Sequence, residues 1–263
     1  MSNPTVYDDL TADADDLEAL VADLSPAQWA ADTPAPGWTV KHQIAHLAFV
    51  FRLAELSATD PDAFAVHAAD AKRDFQGAVD AALAEYLKLP TDALLARWRE
   101  VRDTAAKALA AVPPSATVPW LAAPLPPAVL AAAGMLELFA HGQDVADALG
   151  RTRVRTDRIG HLAWFGVRTR DFGYHAHGLT PPAEEFRVEL TGPSGVAWNF
   201  GPQDAAQRVT GPAVDFALLV SRRRHRDDLA LTAQGEEADR WLDIAQAYRG
   251  PAGAGRRPGM SAY

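Results

Sequence analysis

Apolar residues recur at intervals of three and four through the first 150 positions, the spacing that is typical of amphipathic α-helices. Thr39 and Gly150 mark helix ends, because threonine caps N-termini and glycine readily adopts the left-handed conformation after a C-terminus. The predicted helices span 4–24, 39–57, a long region from Pro61 to Ala111 that breaks at 89–92, and 128–149, with a short helical turn after Ser25. Four helices and one proline-rich crossover at 112–127 predict a bundle.

The hydrophobic period changes in the last third of the chain. A further amphipathic helix is predicted at 157–173, after which residues 186–190 and 196–200 alternate between apolar and polar, as strands do. The glycines of 192–195 join these two strands as a hairpin turn. The other predicted elements are strands at 208–210 and 229–232 and helices at 212–222 and 236–247. This mixture predicts a small α+β domain.

The fold class predicted for the whole chain is therefore α+β, with a helical bundle before a small mixed domain. We expect the bundle at 1–153, a connecting helix at 154–180 and the α+β domain at 181–250. Residues 251–263 are rich in glycine, proline and arginine and have no period, which predicts a flexible tail.

Charge and apolar content argue against two classes of partner. The formal net charge of −9 disfavours a nucleic-acid partner, and the basic cluster at 222–226 is too short to change that. No apolar run is long enough to span a bilayer, and residues 1–9 lack the basic start of a signal peptide. We therefore expect a cytoplasmic protein with a small-molecule substrate. The oligomeric state is left open.

The chain of 263 residues contains no cysteine. This excludes disulfides, thiolate ligands for metals and a protein thiol as nucleophile. Any thiol chemistry must therefore use the thiol of a small molecule.

Glu137 and His141 are four residues apart in a predicted helix, which places a carboxylate and an imidazole on one face. His46, at the polar edge of the second helix, is a candidate third ligand. Such a set suits zinc, nickel or ferrous iron, and three ligands leave coordination positions open. The alternative is that these residues are ordinary half-exposed surface. His42 lies four before His46, so it either forms a histidine pair with it or faces solvent.

Several motifs resemble the mycothiol-dependent maleylpyruvate isomerase family of the DinB-like metalloenzyme superfamily. They are Trp29, the loop 36–40, His46-Leu47 and the run Glu137-x-x-x-His141-x-x-Asp144. The resemblance covers most of the chain and is strongest to an actinobacterial subgroup without an assigned reaction. It implies a four-helix bundle with a divalent metal, usually zinc, bound by His46, Glu137 and His141. It also implies a C-terminal α+β domain similar to sterol carrier proteins.

The resemblance also implies roles for residues around the metal. Asp144 would hydrogen-bond to a ligand or pair with an arginine, or else be a solvated carboxylate. Arg222 and Arg223 would bind a substrate carboxylate, or else form a solvated charge cluster. Trp38, and with it Trp120, would line the cofactor cavity or only pack in the core. The family commonly has an aromatic residue and a threonine around the helix-four glutamate, where this chain has the leucines of 136–138, so the pocket wall differs.

Three functions are consistent with these features. In the first, the protein is a mycothiol-dependent isomerase or S-transferase, whose metal activates the thiol of mycothiol for attack on an electrophilic substrate. In the second, a metal-bound water replaces the thiol in a hydrolase or cyclase, and His42 is the base. In the third, the protein binds a small molecule without catalysis, and its metal is structural. An open metal site favours an enzyme, and a site saturated by protein ligands favours the third function.

Overall fold

The computed structural model describes residues 5–260, and the residue contacts divide the chain into two compact units, Met1–Thr152 and Arg153–Tyr263. Among the described residues of the first unit, the regular secondary structure consists of helices. They are α1 (Val6–Val21), α2 (Pro26–Trp29), α3 (Val40–Thr59), α4 (Pro61–Arg73), α5 (Phe75–Leu87), α6 (Thr91–Ala111) and α7 (Pro127–Ala148). Helices α1, α3, α6 and α7 pack against one another as a bundle, which confirms the predicted architecture.

The apolar stripe of each bundle helix forms the core of the first unit. Buried side chains from all four helices include Leu17 of α1, Ile44 of α3, Trp98 of α6 and Leu138 of α7, and each is completely inaccessible to solvent. The indole of Trp98 contacts the ring of Phe51 edge-on, with 5.1 Å between centroids. This packing fixes α3 between α6 and α7, the two helices that flank it.

Both predicted helix ends, at Thr39 and Gly150, are present in the structure. Helix α3 begins after Thr39, whose backbone N–H donates to Nδ1 of His42 at 3.2 Å. Helix α7 ends before Gly150, which has a φ of +61°, and the N–H of Arg151 donates to the carbonyl of Ala146 at 2.9 Å. This is the Schellman arrangement, in which glycine supplies the left-handed residue.

The long helical region from Pro61 to Ala111 contains a break that the sequence prediction did not include. In addition to the predicted break at Pro90, the chain leaves the helix at Asp74, which has φ −151° and ψ 96°. The carboxylate of Asp74 accepts a hydrogen bond from the N–H of Gly77 at 3.0 Å and so caps α5. Aspartate offers the backbone this alternative to a helical hydrogen bond. The region therefore forms three helices.

The second unit contains a four-stranded sheet and four helices within its described residues. These are α8 (Gly160–Arg168), α9 (Asp171–Ala176), β1 (Phe186–Thr191), β2 (Ala197–Phe200), β3 (Gln207–Pro212), α10 (Ala213–Val220), β4 (Thr232–Gln234) and α11 (Glu236–Ile244). The strand order is β2-β1-β3-β4, with β1 parallel to β3 and antiparallel to β2, and with β3 antiparallel to β4. The α+β fold class and the hairpin of β1 and β2 are confirmed.

Three predicted boundaries in this unit are wrong. The single helix at 157–173 is a 3-10 turn (Asp157–Ile159) followed by α8 and α9, because Thr169 ends α8 by donating its hydroxyl to the Phe165 carbonyl at 2.8 Å. The strand predicted at 229–232 starts only at Thr232, after a 3-10 turn (Arg226–Asp228). The last helix ends at Ile244, since Ala245 has an extended backbone with ψ 128°.

The described part of the C-terminal tail has no regular helix or strand. The N–H of Gly259 donates to the carboxylate of Asp228 at 2.8 Å, so this end of the tail contacts its own unit. The predicted tail extends to residue 263, and its last three residues lie outside the described range. Between residues 5 and 260 no helix combines the length and apolar character that a membrane crossing needs.

Candidate metal centre

Helices α3 and α7 together present three side chains that can ligate a metal. One ligand atom each from His46, Glu137 and His141 lies within 4.8 Å of the others. His141 is one helical turn after Glu137, and both face α3, which packs against α7. The shared oxygen, Oε2 of Glu137, is 3.2 Å from Nε2 of His141 and 3.4 Å from Nε2 of His46.

These separations are long for charge-assisted hydrogen bonds and suit neighbouring ligands of one ion. A hydrogen bond between an imidazolium and a carboxylate is usually about 2.7–2.9 Å long. In a tetrahedral zinc site with bonds of about 2.0–2.1 Å, two ligand atoms lie about 3.3–3.4 Å apart. The two distances in the structure, 3.2 and 3.4 Å, correspond to that edge length. The donor set therefore fits a divalent metal.

A chain of hydrogen bonds sets the tautomer of His141. The hydroxyl of Thr33 donates to the carbonyl of Trp38 at 2.7 Å and accepts from Nε2 of Gln43 at 2.8 Å. The other end of that amide, Oε1 of Gln43, lies 2.5 Å from Nδ1 of His141. Nδ1 therefore carries the hydrogen, and Nε2 of a neutral His141 presents its lone pair on the side of Glu137, where a metal ion would bind.

The arrangement places two acceptors face to face, since the lone pair of His141 points at the carboxylate of Glu137. Such a pair requires a positive charge between its atoms, either a proton or a metal ion. Burial raises the pKa of the Glu137 carboxyl, but when the facing nitrogens of His141 and His46 carry protons, their hydrogen bonds and charges outweigh burial and hold that pKa well below its ordinary value. The candidate ligand Glu137 is therefore ionised at neutral pH.

His46 is held differently from His141. Its Nδ1 is buried and has no hydrogen-bond partner among the described residues. Metal-binding histidines usually donate this second N–H to a carboxylate, a carbonyl or water, which fixes the ring. The ring of His46 is instead positioned by packing, with its centroid 4.5 Å from that of His141.

Trp38 covers the two imidazoles. Its indole stacks on His141 at 5.8 Å between centroids with an interplanar angle of 22°, and its centroid is 5.3 Å from that of His46. Trp38 is half-buried and lies in the loop before α3. An aromatic wall of this kind excludes water from one side of the candidate site and strengthens the electrostatic interactions within it.

The other predicted site residues lie in different places. Asp144 is completely buried on α7, one turn after His141, and takes part in interactions there. Arg222 and Arg223 belong to the second unit and follow α10, where Arg222 has a positive φ of 57°. The leucine at position 138, where the family resemblance led us to expect a different pocket wall, is completely buried in the core.

Gln43 and Thr33 were not identified from the sequence. Gln43 lies in the apolar face of α3 and is 0% exposed. A glutamine in an apolar helix face is the sequence signal that could have identified it. A polar side chain among buried apolar ones needs a hydrogen-bond partner. The spacing alone does not show that this partner is His141 of another helix.

Two family models match the chain. The model described as the mycothiol maleylpyruvate isomerase N-terminal domain matches residues 10–146, more than half of the chain. A model described as wyosine base formation matches residues 182–234. The first match contains all three candidate ligands, and the second lies within the α+β unit.

Similar proteins and structures extend over nearly the whole chain. Two Mycobacterium tuberculosis proteins, one from each of two strains and both named as uncharacterized, are 49% identical over 94% of this chain and 96% of theirs. Crystal structures of the mycothiol-dependent maleylpyruvate isomerase and of a histidine-to-alanine mutant match with a TM-score of 0.55 and 16% identity. They cover 88% of this chain and 96% of the isomerase. The structural likeness supports the fold.

Proposed function

The chain belongs to the mycothiol maleylpyruvate isomerase family, and from that premise we propose that it is a divalent-metal-dependent enzyme of the mycothiol-dependent isomerase or S-transferase type. The observation that carries this proposal is the convergence of two imidazoles and one carboxylate from α3 and α7 within 4.8 Å. Three protein ligands leave coordination open to a small molecule. The substrate would be an electrophilic compound with a carboxylate.

The chain's own residues would hold and orient the ion. Nε2 of His46, Oε2 of Glu137 and Nε2 of His141 are the proposed ligands, and the set suits zinc first and nickel or ferrous iron next. A bound ion would supply one kind of chemistry here, the lowering of a thiol pKa so that a thiolate is present at neutral pH. Because the chain has no cysteine, this thiol would come from mycothiol.

Four further residues have proposed roles in addition to those of the ligands. Trp38 would contact mycothiol, because its half-buried ring already lies against both histidines. Arg222 and Arg223 would hold the substrate carboxylate, since a guanidinium can bind a carboxylate through two parallel hydrogen bonds. Asp144 would orient the α7 end of the site from its buried position.

The properties of His42 favour the thiol over the water alternative. A metal-dependent hydrolase or cyclase would need a base, and His42 was the candidate. Its Nδ1 accepts the backbone N–H of Thr39, and burial together with the nearby charge of Lys41 lowers the pKa of its imidazole. Both effects weaken His42 as a base. A non-catalytic role would fit better with a fourth protein ligand beside the three described ones.

A metal and thiol titration tests the proposed function. Protein purified without a histidine tag should contain about one equivalent of a divalent metal, and cobalt substitution should give a spectrum that changes on adding mycothiol. Mycothiol with a methylated sulfur is the matched control, and it should leave the cobalt spectrum unchanged. A metal-free protein, or equal responses to both compounds, would contradict the proposal.

Gln43 is expected to act on metal affinity through His141. Replacing Gln43 with leucine removes the acceptor for the Nδ1 hydrogen, and loss of such a partner typically weakens metal binding about 10- to 100-fold. The measurement is zinc affinity by competition with a chelator dye. Gln43→Glu keeps an acceptor at this position and should restore most of the affinity.

Gln76→Ala is the control for this experiment, since Gln76 is exposed and only bonds to Asp80 within α5 at 2.8 Å. Its zinc affinity should equal that of the unmodified protein. If Gln43→Leu folds and binds zinc with unchanged affinity, Gln43 does not position His141.

A further inference from the structure

A small cavity lies inside the first unit and has one candidate metal ligand in its wall. Its volume is about 70 Å³, and all four bundle helices contribute to its lining. Leu10 of α1, Phe51 of α3, Leu109 of α6 and Leu130 of α7 form its walls, together with Trp120 from the loop between α6 and α7. Glu137, which also contacts both histidines, completes the lining.

The chemistry of the lining selects an apolar occupant. Apart from the Glu137 carboxylate and the indole of Trp120, the described residues around the cavity have only hydrocarbon side chains or none, and there is no lysine or arginine among them. A carboxylate group would lose its hydration there without gaining a partner. A hydrocarbon group would gain free energy from leaving water.

The cavity exists because three helices carry small residues at the same level. Ala54 of α3, Ala105 of α6 and Gly134 of α7 all line it. A Cβ atom on Gly134 would lie 3.3 Å from Leu10 Cδ1 and 3.7 Å from Phe51 Cζ, so a small adjustment would admit alanine. Glycine in a helix costs about 1 kcal/mol relative to alanine. Gly134 therefore leaves open a space that a Cβ atom would partly fill, although alanine has the higher helix propensity.

The cavity and the candidate metal centre share Glu137 and lie next to each other along α3 and α7. Gly134 precedes Glu137 by almost one turn of α7, and Val50 follows His46 by one turn of α3. These four residues are half-exposed, whereas Leu10, Phe51 and the other lining residues deeper in the bundle are buried. A ligand that reaches the metal centre can therefore extend an attached group along α3 and α7 into the bundle.

Trp120 closes the cavity at the loop between α6 and α7. Its ring stacks on Phe64 at 5.7 Å between centroids, and the preceding carbonyl, of Pro119, accepts a hydrogen bond from Ser57 at 2.7 Å. The loop is thus attached to α3 and α4, and Trp120 is a fixed wall. A fixed apolar wall selects ligands by size.

We propose that this cavity binds an apolar substituent of the substrate, so that the substrate class is an electrophile that carries a hydrocarbon group next to its reacting carbon. A water molecule needs about 10–15 Å³ of such volume, so the cavity holds a group of roughly five or six non-hydrogen atoms. A short branched alkyl chain or a phenyl ring has this size. The proposal rests on the proposed function, because the metal centre is what brings the substrate to the cavity entrance.

Short alkanethiols test the proposal on zinc-loaded protein. From ethanethiol to pentanethiol the affinity should rise about fourfold per added methylene, the transfer free energy of a buried CH₂, and then stop rising when the cavity is full. In Ala105→Leu, which fills the cavity from α6, the affinity should be nearly independent of chain length. Ala110→Leu makes the same change at an exposed position of α6 and should behave like the unmodified protein.

Benzene binding to metal-free protein is the second measurement, read as a saturable rise in the temperature of unfolding. The rise should occur in the unmodified protein and in Ala110→Leu and be absent in Ala105→Leu. If Ala105→Leu does not fold, Gly134→Leu fills the same cavity from α7.

The outcomes separate the two proposals. Thiols that bind with affinities independent of chain length, together with no benzene effect, would overturn the cavity proposal and leave the proposed function intact. Thiols that do not bind at any length, together with benzene binding that Ala105→Leu removes, would overturn the proposed function and leave the cavity assigned as a hydrocarbon site.

Discussion

Replacing Glu137 by alanine is expected to lower the divalent-metal affinity by roughly two to three orders of magnitude. The apparent binding free energy of a four-ligand structural zinc is about 10–16 kcal/mol, or about 2.5–4 kcal/mol for each ligand. The contribution of Glu137 should lie at the upper end of this range, because its Oε2 is close to both imidazoles, at 3.2 and 3.4 Å. The measurement is metal content after dialysis, followed by zinc affinity from chelator competition.

The loss of metal should also remove the proposed thiol activation while leaving the fold intact. Helix α7 gains rather than loses helix propensity when alanine replaces Glu137. The carboxylate that this substitution removes is also partly exposed, with 28% of the Glu137 side chain accessible. Circular dichroism of Glu137→Ala should therefore match that of the unmodified protein.

Glu55→Ala is the matched control on α3, the other helix with a candidate ligand. Glu55 pairs with Arg52 at 2.7 Å and has 18% of its side chain exposed, so its removal also breaks an ion pair of a partly buried carboxylate. Zinc affinity should not change in this variant. Stoichiometric metal in Glu137→Ala, bound within tenfold of the original affinity, would show that Glu137 is not a ligand.

The parts of the fold that are predictable from the sequence are those that depend on local spacing. The period of three and four placed α1, α3 and α7 within a few residues of their observed bounds, and Thr39 and Gly150 mark real helix ends. Each of these features depends on side chains close in sequence. The break at Asp74 is also local, but it arises from a side chain that accepts a hydrogen bond from the backbone N–H of Gly77, three residues later, and no glycine or proline stands at the break itself.

The arrangement of the sheet depends on contacts that are distant in sequence. The alternation of 186–190 and 208–210 predicts strands, and it does not predict that β1 and β3 are parallel neighbours with Val188 opposite Val209. That pairing places the longer β1 and β3 in the centre and the short β2 and β4 at the edges of the sheet. The choice of neighbours is made by packing, which the period of two does not encode.

The candidate site shows the same division. The spacing of Glu137 and His141 predicts one face of one helix, whereas His46 was a candidate third ligand only from its place at the polar edge of the second helix, and the family resemblance then supported it. The contact of Gln43 with His141 joins residues 98 positions apart and could not be inferred from spacing. The cavity is even harder to predict from the sequence, because it results from the small size of Ala54, Ala105 and Gly134 at one level of three helices.

Trp98→Ala is expected to destabilise the first unit more than any other single change considered above, by about 3–5 kcal/mol. Trp98 is completely buried in α6, and its ring packs edge-on against Phe51 of α3 at 5.1 Å. Removing the indole leaves a large void between these helices, which rigid neighbours fill only in part. The measurement is urea unfolding followed by far-ultraviolet circular dichroism. The slope of the unfolding free energy against urea concentration should be the same in the variant and the unmodified protein.

Trp98→Phe separates packing from polarity at the same position. Nε1 of Trp98 is buried without a hydrogen-bond partner among the described residues, so the smaller phenyl ring also removes an unsatisfied donor. Its cost should therefore be only about 1–2 kcal/mol, well below that of alanine. Trp164→Ala, at a 39%-exposed position of α8, should cost less than about 1 kcal/mol. If Trp98→Ala cost no more than Trp164→Ala, the contact of Trp98 with Phe51 would not be a major source of the stability with which α6 packs against α3.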